Sequence, residues 1–360
     1  MKGLPAWIDL GLIPAMNIAL AFALSGLLIA AIGEDPFAAL RVMIQGAFVF
    51  DGALGYTLFY TTNFIFTGLA VSVAFQAMLF NIGAEGQAAL GGLGAVLVCL
   101  ALDAILPGLL VIPLAVAGAA ALGAGWALIP GWLQAYRGSH IVITTIMFNF
   151  IAAGLMVALL AGPLMSSGQG SPQSRRIAES AELPQIQDML GAVGVQIGSS
   201  PLNLAFPLAL LAAAGVWLLI WRTRFGYALR AIGHSEPAAV YAGIAVPRMV
   251  VAAMAISGAL AGLMAVNEIL GAQHKLVLNF TAGYGFTGIA VALMGRNHPV
   301  GIVLAALLFG ALYQGGTELD FEFQTITREM VLVIQALIIL FSGALAQMFV
   351  PMMMRAAGRA

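Results

Sequence analysis

Apolar runs of about 20 residues recur along this chain with almost no charge inside them, and this limits the fold more than any motif does. A helix rises about 1.5 Å per residue, so a run of about 20 crosses the roughly 30 Å hydrocarbon layer of a bilayer. About ten spans are expected, near Leu12 to Ile32, Tyr56 to Ala77, Ala88 to Ala104, Gly108 to Pro130, Ile141 to Gly162, Leu202 to Trp221, Val250 to Leu270, Phe286 to Gly295, Val300 to Gln314 and Met330 to Phe349. The eighth and ninth are short, as suits helices broken at Gly295 and Pro299 or shielded from lipid by neighbours. Charged residues are 8% of the 360 and apolar ones 62%, against roughly 25% and 45–50% in soluble domains. The whole length, 1–360, therefore reads as one all-α polytopic membrane domain.

Several classes fall away. The net charge of −1 offers no basic patch to nucleic acid. Cys99 stands alone in an apolar run, and the four His are scattered, so neither a disulfide within the chain nor a Cys-based zinc site is expected. Met1 to Asp9 holds one Lys and precedes a run long enough to span, which reads as a retained anchor rather than a cleaved signal.

Basic residues orient the spans. With the N-terminus inside, Lys2, Arg137, Arg222, Arg224, Arg230, Arg248, Arg296, Arg355 and Arg359 face the cytoplasm. Arg41, Arg175, Arg176, Lys275 and Arg328 face outward, and nine against five follows the positive-inside rule. Both termini are then cytoplasmic. Two outer segments exceed simple turns. Asp35 and Pro36 open an amphipathic helix through Phe50 at the membrane surface. Residues 163–200 form a polar extracytoplasmic loop, either a structureless connector or a lid or partner contact.

Inside, the loop 222–248 carries four of the fourteen basic residues. Arg224 to Ile232 reads as one short helix stopped by Gly233, which tolerates a left-handed conformation. Ser235 then caps a second helix, with Glu236 and Pro237 in its first turn. Two stubby helices on a polar loop make a docking surface.

Polar groups within spans are costly and therefore face protein or a pathway. Asn63 and Thr67 share one helical face, as do Ser72 and Gln76, and Thr145 and Asn149. Helix-to-helix hydrogen bonds and a substrate route explain these pairs about equally. Phe66 and Phe148 stand beside them, and an aromatic with an amide suits an uncharged ring bearing hydroxyls. The glycine-rich run Phe80 to Leu93 contains Asn81 and Glu85, and two readings fit it: a broken helix lining a cavity, or an inner turn. Glu268, the other isolated acid, is expected to snorkel or to pair with His274 or Lys275.

Four ordered motifs carry a family resemblance over nearly the whole chain. FNIGAEGQ at Phe80 to Gln87, GSHIVITTIMFNFIA at Gly138 to Ala152, RAIGHSEPAAVYAGI at Arg230 to Ile244 and GFTGIAVALMGRNHPVGI at Gly285 to Ile302 resemble permeases of ATP-binding-cassette importers. The likeness is to the nucleoside and simple-sugar branch of the branched-chain amino acid and ribose permease family. The NIGAEGQ form belongs with the nucleoside branch. Phe286 and Thr287 depart from the family's GFDGIA form, so no role for an acid is carried to 287.

The resemblance implies a type II importer-like fold with two inverted repeats, roughly the second to fifth and seventh to tenth spans, in a bacterial cytoplasmic (inner) membrane. It implies a second permease subunit (a copy of this chain or a paralogue), a cytoplasmic ATPase holding ATP and magnesium, and an extracytoplasmic binding lipoprotein. Nucleosides are the expected substrate, with simple sugars or free nucleobases as the alternative. Arg224, Gly226, Arg230, Gly233, His234, Glu236, Pro237 and Gly243 are then candidates for ATPase coupling. Asn63, Phe66, Thr67, Gln76, Asn81, Glu85, Thr145, Phe148 and Asn149 are candidates for the substrate pathway. The chain has no GxxxxGK[ST] loop, so it is expected to be non-catalytic and to need no cofactor of its own. A stand-alone secondary transporter would need an ion-coupled site, which the sparse acids Glu85 and Glu268 do not favour.

Overall fold

A computed structural model describes residues 12–341 apart from 167, 169, 193, 196 and 324. Helices follow one another as α1 (Ile13–Ala31), α2 (Pro36–Phe48), α3 (Ala53–Phe75), α4 (Ala84–Leu102), α5 (Gly108–Arg137), α6 (Ile141–Leu160) and the short α7 (Ile186–Ala192). Then come α8 (Ala205–Arg222), α9 (Arg224–His234), α10 (Glu236–Tyr241), α11 (Val246–Ala265), α12 (Tyr284–Met294), α13 (Pro299–Glu322) and α14 (Arg328–Ile339). A π-helical stretch, Val266–Gln273, prolongs α11. Among the described residues seven helices are long and apolar enough to cross a membrane, counting α11 with its extension, and α1 and α12 are shorter apolar helices. The chain is an all-α, multi-pass membrane protein.

Each expected span meets a helix, with two differences in length. The ninth is a full 24-residue helix, α13, because Pro299 sits at its start, where the missing N–H costs nothing. The fourth continues through Pro130 to Arg137, and Gly138 ends it in the left-handed conformation at φ +67°. The eighth, α12, is short as expected. The remainder of the tenth, with Lys2, Arg355 and Arg359, lies outside the described residues. The surface helix also forms, and the Asp35 carboxylate caps α2 through the Phe37 amide.

The described residues form two units. The smaller holds α1, α2, α14 and the adjoining ends of α3 and α13. The larger, Leu58–Phe309, contains the rest. Its centre is built on glycine, since α4, α5 and α11 approach too closely for side chains. A Cβ on Gly91 would lie 2.3 Å from the Gly262 Cα, and one on Gly123 would lie 2.3 Å from the Gly258 carbonyl oxygen. Without a hydrophobic drive between helices in lipid, such close van der Waals packing is what associates them.

This packing is testable on one helix. Gly123→Ala should lower the thermal unfolding midpoint of the detergent-solubilised protein by the equivalent of about 1–3 kcal/mol, as overpacking does. Gly125→Ala, where a Cβ meets open space, should leave it unchanged. Equal midpoints for the two variants would refute the close approach.

Candidate functional site

The run Asn81 to Gln87 resolves as a break inside the helix bundle. After α3 ends at Phe75 the backbone is irregular until α4 begins at Ala84. The amide of Asn81 bonds Ser257 in the middle of α11 at 2.9 Å, and its oxygen accepts from the Gly83 N–H at 2.9 Å and from Gln87 at 3.1 Å. α4 thus starts against the middles of its neighbours. The run is the link between two separate helices, α3 and α4, and its Asn81 end is buried among their neighbours.

A helix starting in the bundle leaves N–H groups that neither water nor lipid can satisfy. Gly83 and Gly283, the caps of α4 and α12, have no side chain to help. Both helices are capped from elsewhere. Asn149 of α6 accepts the Gly86 N–H at 2.9 Å and donates to the Ile82 carbonyl at 2.9 Å. The Glu85 carboxylate, in turn, accepts from the N–H groups of Gly283 at 3.0 Å and Gly285 at 2.8 Å and from the Thr281 hydroxyl at 2.5 Å. These acceptor oxygens sit at the positive end of α12. Gly285 is needed there, since a Cβ would meet the Glu85 backbone nitrogen at 2.3 Å.

Glu85 and Asn149 border a cavity of about 90 Å³, with Gly86, Ala153, Asn279 and Thr281. Pockets that enclose drug-sized ligands run to roughly 300–1,000 Å³, so this one is a recess and not a closed chamber. The other pathway candidates lie elsewhere. Phe66 is fully buried. Thr67 donates to the Asn63 carbonyl, and Thr145 to the Ile141 carbonyl. Phe148 packs on Trp126, whose indole N–H donates to its carbonyl at 3.2 Å. Gln76 and Ser72 both donate to the Asn297 carbonyl, at 3.1 and 2.9 Å, in the turn between α12 and α13.

Glu268 is buried, and its partners differ from those expected. It accepts from Asn63 at 2.7 Å and Gln273 at 3.0 Å, with Tyr284 also hydrogen-bonded, while Asn267 joins Asn63 and Asn203. The π-helical turn aims Glu268 inward, away from Lys275, and His274 goes to Glu182 at 3.5 Å.

The long polar loop after α6 is stitched down over residues 173–183. Residues 173–183 bond the stretch before α12 through Ser174 N–H to Leu276 O, Ile177 N–H to His274 O and Leu183 N–H to Leu270 O. Arg175 grips Asp103 at 2.7 and 2.9 Å, and Arg176 grips Glu182 at 2.9 Å. A structureless connector is therefore ruled out for this part of the loop. These side chains, all expected outside, meet on one side. The Arg175 hydrogen bonds hold the Asp103 carboxyl below its usual range.

At the opposite end of α8, α9 and α10 form as expected, except that Gly233 does not stop the helix. It remains helical, α9 runs to His234, and Ser235 caps α10. Gly233 is present because a Cβ would meet the Gln76 carbonyl oxygen at 2.2 Å. Thr223, which sequence reasoning missed, caps α9 through the Gly226 N–H at 3.1 Å; its place one residue before the Arg224 helix was the available signal. Gly226 and the side chains of Leu229 and Ile232 face inward, and Arg224, Tyr227, His234, Glu236, Pro237, Tyr241 and Gly243 are exposed.

With this geometry stands the comparison with known proteins. The family model for the permease component of branched-chain amino acid transport systems matches residues 53–343. The chain belongs to that permease family. It is 38% identical to a guanosine ABC transporter permease of Bacillus subtilis over 92% of each chain. It is 32% identical to a nucleoside ABC transporter permease of Lactococcus lactis, over 92% of this chain and 90% of the relative. A glucose ABC transporter permease of Haloferax volcanii is 34% identical, over 94% and 88%.

Two outcomes follow. Asn149→Leu removes the acceptor of one backbone N–H and the donor to one carbonyl, together about 1–2 kcal/mol, so the unfolding midpoint and uptake should fall together. An unchanged midpoint with lost uptake would make Asn149 a substrate contact alone. For Asp103, a depressed native pKa contributes stability that is complete above the ordinary value near about 3.9 and is lost as pH falls through the native value. The midpoint gap between wild type and Asp103→Asn should be widest above about pH 5 and should narrow progressively as pH falls below about 4. A gap independent of pH would show that the ion pair does not stabilise the loop.

Proposed function

We propose that this permease carries nucleosides across a bacterial inner membrane by alternating access, with a second permease subunit, a cytoplasmic ATPase that binds ATP and magnesium, and a binding lipoprotein outside. Support for the substrate comes from the guanosine and nucleoside relatives. The glucose relative keeps simple sugars as the second reading. A second guanosine permease of the same Bacillus, 28% identical over 265 residues, favours a paralogue as the other subunit. Two matching series, α3 to α6 and α11 to α14, each interrupted before its second helix, support the inverted repeats. The orientation remains that of the positive-inside count, with both termini in the cytoplasm.

In this mechanism the ATPase binds the exposed face of α9 and α10, where Arg224, His234, Glu236, Pro237 and Gly243 are presented. Gly226, Arg230 and Gly233 seat that face on the permease. The observation that carries the reading is the backbone contact of Gly233 with Gln76. Through it, movement of α9 acts on the end of α3 and, by way of Ser72, Gln76 and Asn297, on the turn leading out of α12. At the other end of α12 is the cap from Glu85, beside the recess with Asn149. Substrate passes along the interface of the two permeases, close to that recess. Of the remaining candidates, Asn81 holds the start of α4 beside it, and Asn63, Phe66, Thr67, Thr145 and Phe148 serve in helix packing.

Gly233→Leu in the assembled transporter should abolish substrate-stimulated ATP hydrolysis and reduce uptake of labelled guanosine at least tenfold, with membrane insertion preserved. Full coupling would remove α9 from the transmission path. Guanosine accumulation that ignores the gene while labelled glucose accumulation follows it would move the substrate to sugars.

A further inference from the structure

Away from the recess, α8 and α13 leave an apolar groove of about 380 Å³ between them. Leu210, Ala213 and Trp217 form one wall, and Val300, Val303 and Leu304 the other. At the end nearer α9 it meets positive charge. The Arg222 guanidinium lies back over the Trp217 ring, 5.1 Å from its centroid, so a cation rests on a wall of the groove. Among the described residues no carboxylate is within ion-pair distance of Arg222, and it is exposed. Trp221 packs on His298 at 4.9 Å, which draws the α12–α13 turn with Arg296 to the same place. Neither 189–235 nor 286–317 contains an acid, whereas Arg222, Arg224, Arg230 and Arg296 lie within them. The groove is therefore apolar along its length and cationic at one end.

We infer that this groove is a binding site for an anionic phospholipid from the leaflet on the loop 222–248 side. An acyl chain fills the space between α8 and α13, and the phosphate meets the Arg222 fork, whose planar donors suit phosphate oxygens. Trp217 lies in the last turns of α8, the part of a spanning helix where aromatic rings commonly border the headgroups. A basic pocket between spanning helices is the chemistry that holds acidic headgroups. A packed helix from another subunit would fill the groove but would leave the Arg222 charge unanswered. Because Arg222 begins the loop that leads into α9, the site makes the docking element sensitive to the charge of the surrounding lipid.

The test is native mass spectrometry of the full-length permease titrated with phosphatidylglycerol or phosphatidylcholine. Wild type should retain one more phosphatidylglycerol than phosphatidylcholine. Arg222→Gln should weaken that retention about fivefold, the weight of one basic residue near a surface, and Val303→Trp should abolish it by filling the groove. Arg248→Gln, on the same loop but outside the groove, should change nothing. Equal retention of the two lipids by wild type would overturn the proposal, as would an equal loss from Arg248→Gln. So would a change of oligomeric mass from Val303→Trp with lipid retention intact, which would place a protein helix in the groove.

Discussion

Everything in the larger unit leans on helix starts that occur where no water can serve them. α4 begins with glycine at its cap and so does α12, and each leaves backbone N–H groups facing a low-dielectric interior. The solution is a relay in which Asn149 caps α4 and Glu85, in the first turn of α4, caps α12. The acid and the amide together therefore hold three helices, α4, α6 and α12, in register. The burial of Glu85 is tolerated because backbone N–H groups and a hydroxyl already in place satisfy its oxygens.

Around that relay the unit joins close packing to polar ties. Glycine at the α4, α5 and α11 contacts lets backbones touch, which leaves little room for one helix to slide on another. Polar ties connect this centre to both surfaces. On one side, residues 173–183 bond the segment that leads into α12. On the other, Gly233 rests on the end of α3, and Asn297 accepts from Ser72 and Gln76. The contacts of α9 and of residues 173–183 thus reach the two ends of α12.

Much of this was legible beforehand, and particular residues show why. The apolar runs appear as helices because lipid forces each backbone to satisfy itself. Ser235 and Asp35 act as caps as their positions imply. The break at Asn81 to Gln87 was visible as a cluster of glycines with one acid. Gly233 was misread because a glycine near a helix end has two uses, positive φ and close approach, and only the neighbour Gln76 distinguishes them. Glu268 was assigned to sequence neighbours, whereas Asn63, more than two hundred residues away, is its partner.

The sequence by itself determined the class of protein, the rough bounds of its apolar helices, the two short helices of the loop 222–248 and the family. All of these depend on local properties: run length, charge along the chain and short motifs. Only the tertiary structure decided which polar residue answers which. It paired Glu85 with the start of α12 and stitched the outer loop to the segment before α12. It also left Arg222 over Trp217 at the mouth of a groove. Such pairings join residues distant in the chain, and the rule behind them, that a buried polar group must find a partner, does not name the partner.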